Sequence, residues 1–393
     1  MTMNTPEKLQ HNLIELPSGK KPGDVVGERH EFVTLFDCAK SNPNGDPDTG
    51  NMPRVQPDSL KGLVTDVCLK RKIRNFFTLY SPHGAEARQW GSGDDRSGCE
   101  IFIRENAILQ ETMEGDDVAN EAEAIFNGYS DPKKGSWKRP AKGKAAESEF
   151  IARAYRDALC ARFFDLRAFG GVISTEGPLK GSFYGQIRGP IQFTFSESLD
   201  KVLPLDATIT RCAVASLKEK QQLEKSESGD NRTMGRKYGI DYGLYRCHIH
   251  FSPAFAAKTG FTYYDLDNFL FALRHMFEDD HAAGRHLRLV GLVDFQHQSA
   301  LGNAPAHKLF NLVQVEGIKY SKEQADALGK PELEGKFKSS GSEFPRSLND
   351  YAGEAPEGDL HVTESGDVKP GKNSQGVAVI KARRIVWEIL PKP

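Results

Sequence analysis

The chain has 393 residues, with 52 Lys and Arg against 54 Asp and Glu, so its formal net charge is −2 at pH 7. That length allows one large domain with insertions or two ordinary ones, and the near-neutral balance excludes a globally basic polynucleotide binder, so any nucleic-acid site must be a local stripe. Six cysteines at 38, 68, 99, 160, 212 and 247 contain no Cys-x-x-Cys pair, which argues against a zinc site or a disulfide framework and for reduced thiols in the cytoplasm.

Residues 1–29 are polar, are punctuated by Pro6, Pro17 and Pro22, and lack the apolar run of a signal peptide; they read as a loosely ordered extension. No apolar stretch is long enough to span a membrane, so a soluble, cytoplasmic protein is expected. From Phe32 the pattern becomes informative. Val33 and Leu35 alternate with Phe32, Thr34, Phe36 and Cys38, and both sets are largely apolar, as in an interior strand. Ser41 to Arg54 then packs Gly, Pro, Asn and Asp so densely that no regular element is expected. In the helix that follows, Leu69, Ile73, Phe76, Phe77 and Tyr80 share one face, while Lys70, Arg71 and Arg74 crowd another flank. A loop rich in backbone N–H donors, leading into a helix start beside Ser59 and Thr65, suits an anionic backbone; a solvated charged flank is the plain alternative.

Residues 81–146 read as a protruding insertion, first Gly-rich, then acidic around Glu111 to Glu123, then basic from Lys133 to Lys144. The basic part either contacts phosphate, with Trp137 stacking a base, or is a solvated loop. Helical spacing returns over residues 147–168 and ends at Gly170-Gly171, after which Phe183 to Phe195 reads as a half-buried strand or hairpin. Thr208 to Ala215, carrying Arg211, and Tyr242 to Phe251 are strands flanking a polar arm, which describes a projecting hairpin. Arg232, Arg236 and Lys237 on its rim either grip phosphate or keep an exposed tip soluble. Leu266, Phe269, Leu270, Leu273 and Phe277 mark a core helix over 265–278. Leu287 to Phe295 is the next strand. The small-residue turn Ser299 to Lys308 then either abuts an RNA backbone or a neighbouring subunit through Asn303 or His307, or is simply a tight internal turn. Residues 321–376 read as an irregular insertion before a closing strand over 377–390.

Chemical signatures fall short. The Gly366 to Lys372 stretch has Asn373 where a phosphate-binding loop needs Ser or Thr. Asn44-x-Asp46-x-Asp48 starts like a calcium loop but has Val55 where the closing Glu belongs. His248 and His250 share a strand face without a third ligand, and no Gly-x-Ser-x-Gly elbow occurs. No cofactor, metal or catalytic residue is expected. The element order is that of an α+β fold, an antiparallel sheet covered by helices as in ferredoxin-like and RNA-recognition folds. Arg188, Gly189 and Phe195 fit the RNA-recognition strand signature, whereas Pro190, Ile191 and Gln192 do not, so ordinary base stacking on the sheet is not expected.

Four stretches carry a family resemblance. They are Asn42 to Asp48 with Leu63 to Asn75; Phe164-Asp-Leu-Arg-Ala-Phe-Gly170 with Arg188-Gly-Pro-Ile-Gln-Phe193; Arg232 to Lys237 with Tyr242-Gly-Leu-Tyr-Arg246; and Ser299-Ala-Leu-Gly-Asn-Ala-Pro-Ala-His-Lys-Leu-Phe310. In this order they resemble the backbone subunit of the type I-C CRISPR surveillance complex Cascade, the Cas-seven family, across most of residues 31–315.

The resemblance implies a modified RNA-recognition (ferredoxin-like) palm over residues 30–393, with a finger insertion at 81–146 and a thumb hairpin at 217–236. It implies copies polymerised along CRISPR RNA, a guide presented for pairing with target DNA, neighbours from the Cas-five and Cas-eight families, and no catalysis in this subunit. The RNA-contact candidates in and beside the loop are Asn42, Asn44, Arg54 and Thr65. On the palm helix they are Lys70, Arg71 and Arg74, and on the strands and thumb Arg188, Arg211, Arg232, Arg236 and Lys237. Asn303, His307 and Lys308 complete the set. The alternative is a metal-dependent endoribonuclease acting through Asp46 or Asp48, although both carboxylates have a ready use in capping backbone N–H groups.

Overall fold

The computed structural model describes residues 11–80, 99–211, 213, 216–218 and 233–392. Ten strands form one antiparallel sheet. In chain order they are β1 (His30–Ser41), β2 (Lys61–Val64), β3 (Ile191–Phe193), β4 (Ser196–Lys201), β5 (Pro204–Arg211), β6 (Thr233–Phe251), β7 (Leu287–His297), β8 (Gly358–Val362), β9 (Val368–Pro370) and β10 (Ile380–Trp387). Their spatial order is β9-β8-β10-β7-β1-β6-β4-β2, and β3 and β5 also pair with β6. β1 is therefore interior, pairing with β6 from His30↔Phe251 to Ser41↔Ile240 and with β7 from His30↔Gln296 to Cys38↔Leu287.

Because side chains alternate along a strand, β1 feeds two cores. On one face Phe32, Phe36 and Cys38 join Tyr245, Cys247 and Ile249 beneath two helices, α1 (Asp66–Tyr80) and the later Tyr263–His275 helix, which together bury Leu69, Ile73, Phe77, Leu266, Phe269 and Leu273. On the other face Val33 and Leu35 pack with Leu244, Val290 and Val293 against Leu309, Phe310, Phe337 and Tyr351. The sheet surface left open by the helices is thus covered by later chain. His248 and His250 stand on this covered face: the His248 ring stacks on Phe310 with centroids 4.1 Å apart, and His250 Nδ1 lies 2.5 Å from Glu31 Oε2. Burial, with the Arg246 guanidinium adjoining, pushes the His248 pKa down to about 4, so both histidines serve packing.

A second lobe holds α2 (Leu109–Glu114), α3 (Asp116–Gly128), α4 (Glu149–Arg162) and α5 (Phe164–Phe169). Its own core joins Phe102, Met113, Ala122 and Phe126 to Tyr155, Ala158, Leu159 and Ile187. The helix read over 147–168 is broken at Phe163, which has extended backbone between α4 and α5. Two salt links tie this lobe to the sheet's helices. Arg167 donates to Asp265 through Nε at 3.0 Å and Nη2 at 2.7 Å, and Arg74 Nε donates to Asp165 Oδ2 at 2.8 Å.

Three expectations change. Residues 11–29 are packed rather than loose: Asp267 accepts from the backbone N–H groups of His11 and Leu13, and Ile14 and Val26 are buried. Residues 321–376 are also less irregular than their composition implies, because β8 and β9 extend the main sheet and Phe337, Tyr351 and Leu360 are buried. Strand β4 was not legible, since Ser-Glu-Ser-Leu-Asp-Lys has a polar sequence and owes its conformation to pairing with β2 and β6. Among the described residues no helix is long and apolar enough to cross a membrane.

Candidate nucleic-acid interface

The loop ahead of α1 folds more tightly than its composition predicts. Gly45–Asp46 and Met52–Pro53 pair as a two-residue hairpin around a 3₁₀ turn at Pro47–Thr49. Close packing makes glycine necessary at position 45, where a Cβ would lie 1.9 Å from Asn51 Oδ1. Most of the polar groups turn inward. Asn42 Nδ2 donates to the Asn51 carbonyl at 2.7 Å, while Asn44 Oδ1 accepts from both Thr65 N and Thr65 Oγ1 at 3.0 Å. Asp46 Oδ1 accepts from Asp48 N–H at 3.2 Å and lies 3.4 Å from Arg54 Nη2. Asn42, Asn44, Thr65 and Asp46 therefore brace the loop, and the expectation that this segment offers free donors to an anion is corrected. Asn42 Oδ1 and Arg54 Nε remain buried without a partner.

The three cations of α1 separate by depth. Lys70 Nζ donates to Asp66 Oδ2 at 2.8 Å and lies about equally far from the Phe169 and Phe193 rings, at 6.0 and 5.9 Å. Arg74 faces Asp165, its side chain 11% exposed, with its guanidinium over the Phe169 ring at 5.4 Å. Asp165 is fully buried and also accepts from Phe102 N–H and Ile103 N–H. Arg74 thus acts as an internal tie, in contrast with the open phosphate contact expected of it. Arg71 differs: its side chain is 66% exposed and its nearest carboxylate, Glu105, is 3.8 Å away.

The other candidates are spread along the sheet and ribbon. Arg188 is exposed, with no ion pair among the described residues. Arg211 ends β5, where it pairs with Thr233 across a ribbon whose outer half is exposed on both faces. Arg236 lies 3.5 Å from Asp206, and Lys237 Nζ donates to the Ala283 carbonyl at 2.8 Å. Arg232 lies outside the described residues. In the turn after β7, Asn303 Oδ1 accepts from Gln298 N–H and Ser299 N–H, and Asn303 N–H donates to His297 Nδ1, so Asn303 is a loop brace rather than an outward donor. His307 is exposed, and Lys308 Nζ donates to the Gly366 carbonyl at 2.6 Å.

Trp137 does not stand free to stack a base. It packs against Phe126 and Tyr155, at 5.4 and 5.9 Å between centroids, as part of the second lobe's core. Of the basic segment around it, Lys138 and Arg139 pair with Glu147 and Asp116, while Lys133, Lys142 and Lys144 are exposed. Among the described residues, no three His, Cys, Asp or Glu side chains converge in a way that would hold a metal ion.

The sequence profile described as CRISPR-associated protein Cas7 matches residues 28–351. The chain belongs to this family. A relative, the CRISPR-associated protein Cas7 of Haloferax volcanii, is 25% identical over 231 residues, which cover 54% of each chain, so the match spans about half of that relative's length. A chain of a pre-nicking CRISPR RNA-guided surveillance complex superposes on 68% of this chain and 78% of its own, at 15% identity and a TM-score of 0.39. A second, from a CRISPR RNA-guided surveillance complex, covers 68% of each at 11% identity and a TM-score of 0.31. Both superpositions are too loose to bear on the fold. The Cas7 match starts just before β1 and ends at Tyr351, so it takes in the whole of β1 to β7 and leaves β8 to β10 outside.

The Cas7-like stretch at 164–170 and 188–193 was recognised in the sequence, yet only Arg188 was singled out there. Asp165, Phe169 and Phe193, which surround Lys70 and Arg74, went unnoticed as a unit. Their signal lay in the pairing of two short stretches separated by an insertion, because the chain returns next to itself where Gly170 pairs with Arg188.

Proposed function

We propose that the chain is the backbone subunit of a type I-C CRISPR surveillance complex, Cascade, which polymerises along CRISPR RNA and presents the guide for pairing with target DNA. What supports this most is membership of the Cas7 family across residues 28–351. The order β7-β1-β6-β4, with α1 and the Tyr263–His275 helix on one face, is the 4-1-3-2 arrangement of a ferredoxin-like unit and supports reading residues 30–393 as an RNA-recognition-like palm. On this reading the second lobe belongs to the finger begun at 81–146, and the β5–β6 ribbon carries the thumb at 217–236.

Arg71, Arg188 and Arg236 then hold phosphates, while Lys70 and Arg74 fix the helix that presents Arg71. Such contacts hold a guide without reading it, leaving its base edges free to pair. Further copies of the chain and subunits of the Cas-five and Cas-eight families are its protein partners. No catalysis is assigned, because Asp46 is taken up by the Asp48 N–H and Arg54.

Electron microscopy of the purified chain with and without CRISPR RNA tests the reading. Helical arrays that form only with RNA are expected; RNA bound by single copies would refute polymerisation. Incubation with complementary RNA and magnesium should leave that RNA intact, and cuts abolished by Asp46→Ala would transfer the assignment to an endoribonuclease.

A further inference from the structure

The small hairpin that follows α5 combines features of a base-stacking platform. Gly170, Gly171 and Val172 pair with Arg188, Ile187 and Gln186 respectively. Since side chains alternate along a strand and cross-strand partners share a face, the buried Ile187 fixes one face to the lobe core, and Val172, Gln186 and Arg188 take the other. All three are exposed. The hairpin is held tightly to the preceding helix: a Cβ at Gly170 would lie 2.2 Å from the Ile187 carbonyl oxygen, and one at Gly189 2.3 Å from the Ala168 carbonyl oxygen.

The turn entering this hairpin is equally fixed. Ser182 Oγ accepts from Tyr184 N–H, Ile173 N–H donates to the Gly185 carbonyl, and Tyr184 packs on the lobe core. Phe183, between them, is 80% exposed. A lone exposed aromatic is ordinary on a protein surface. Here the ring sits on a rigid turn close to an unpaired cation, and the surface continues into α1, because Gly170 follows Phe169, whose ring lies within reach of Lys70 and Arg74. A polyanion with flat bases complements that pairing of cation and aromatic face.

We propose that Phe183 is a stacking platform for one base of the guide RNA, with Arg188 on the adjoining phosphate, extending the cationic surface of α1 onto the second lobe. This rests on the RNA-binding reading above. Stacking is indifferent to base identity, so such a contact orders the strand without selecting its sequence.

Binding of guide-length single-stranded RNA by wild type, Phe183→Ala, Phe183→Trp and Arg188→Ala tests it, with melting temperature and RNA-free sedimentation recorded for each. Phe183→Ala should lower affinity about tenfold without changing the salt dependence, and Phe183→Trp should restore it. Arg188→Ala should instead reduce the slope of log affinity on log salt by about one. Wild-type affinity in Phe183→Ala, with wild type itself binding RNA, overturns the platform and spares the function; a wild type that fails to bind RNA overturns the function. Altered sedimentation of Phe183→Ala without RNA, at unchanged RNA affinity, would make this a contact between protein copies and also overturn the platform.

Discussion

Helix α1 and the outer half of the β5–β6 ribbon both carry cations where a phosphate track is expected, and the fold spends them differently. On α1, Arg74 is drawn onto the buried Asp165, Lys72 is buried and bonded to Asp280, and Lys70 is held by Asp66, which leaves Arg71 outermost. On the ribbon, strands exposed on both faces have no core to serve, so Arg236 meets only the exposed Asp206. A cation over a packed interface becomes structure; one on a bare two-stranded ribbon stays available. The same charge run therefore has opposite meanings in the two places.

The sharpest way to break the comparison is Asp165→Ala. It strips a buried Arg74 of its partner and leaves the Phe102 and Ile103 N–H groups unsatisfied, so a loss of about 3–5 kcal/mol is expected in denaturant unfolding. A loss below about 1 kcal/mol would show that Arg74 is as dispensable to the fold as a surface charge.

Acid sensitivity should likewise belong to the core and not to the ribbon. Burial, with the His30 and Arg29 charges nearby, holds the His297 pKa down at about 4 against an ordinary 6.5. The unfolded chain then takes up the proton first, so the stability this residue contributes is whole above pH 6.5 and falls as pH drops toward 4, by about 2 kcal/mol at pH 5. His30, whose pKa is raised by Asp294 and Glu28 despite complete burial, acts in the opposite sense and contributes most below pH 6.5. Urea midpoints at pH 7 and pH 5 should lie closer together in His297→Gln than in wild type. An unchanged gap would mean that His297 protonates without cost.

Smaller effects sharpen the distinction. Arg71→Ala should weaken RNA binding several-fold and lower the salt slope by about one, with stability altered by less than about 0.5 kcal/mol. If Arg74→Ala did the same while remaining folded, the helix would present both residues outward. Arg236→Ala with Lys237→Ala should shift thermal unfolding least, within about 0.5 kcal/mol, since an exposed pair and one surface carbonyl contact are all that is lost. A marked drop in melting temperature would show the ribbon to be part of the packed structure.

Local periodicity made much of the frame legible. Two apolar faces on β1, one apolar stripe on α1 and one on the Tyr263–His275 helix each follow from residue spacing, and the family followed from four short stretches. The loop at 42–54 was recognisable as a turn from its Gly, Pro, Asn and Asp, though not as the hairpin that uses those side chains internally. The polar β4 and the packed residues 11–29 were missed, since their order comes from partners distant in sequence and not from any pattern of their own.

The sequence by itself determined which positions carry charge and which faces are apolar, because both depend only on residue type and helical or strand period. Tertiary structure alone decided which of those charges remain free. Asp165 is 91 residues from Arg74, and Phe126 and Tyr155 flank Trp137 from different helices. No local rule specifies such meetings, and burial makes each one strong enough to take a side chain out of solvent and away from RNA.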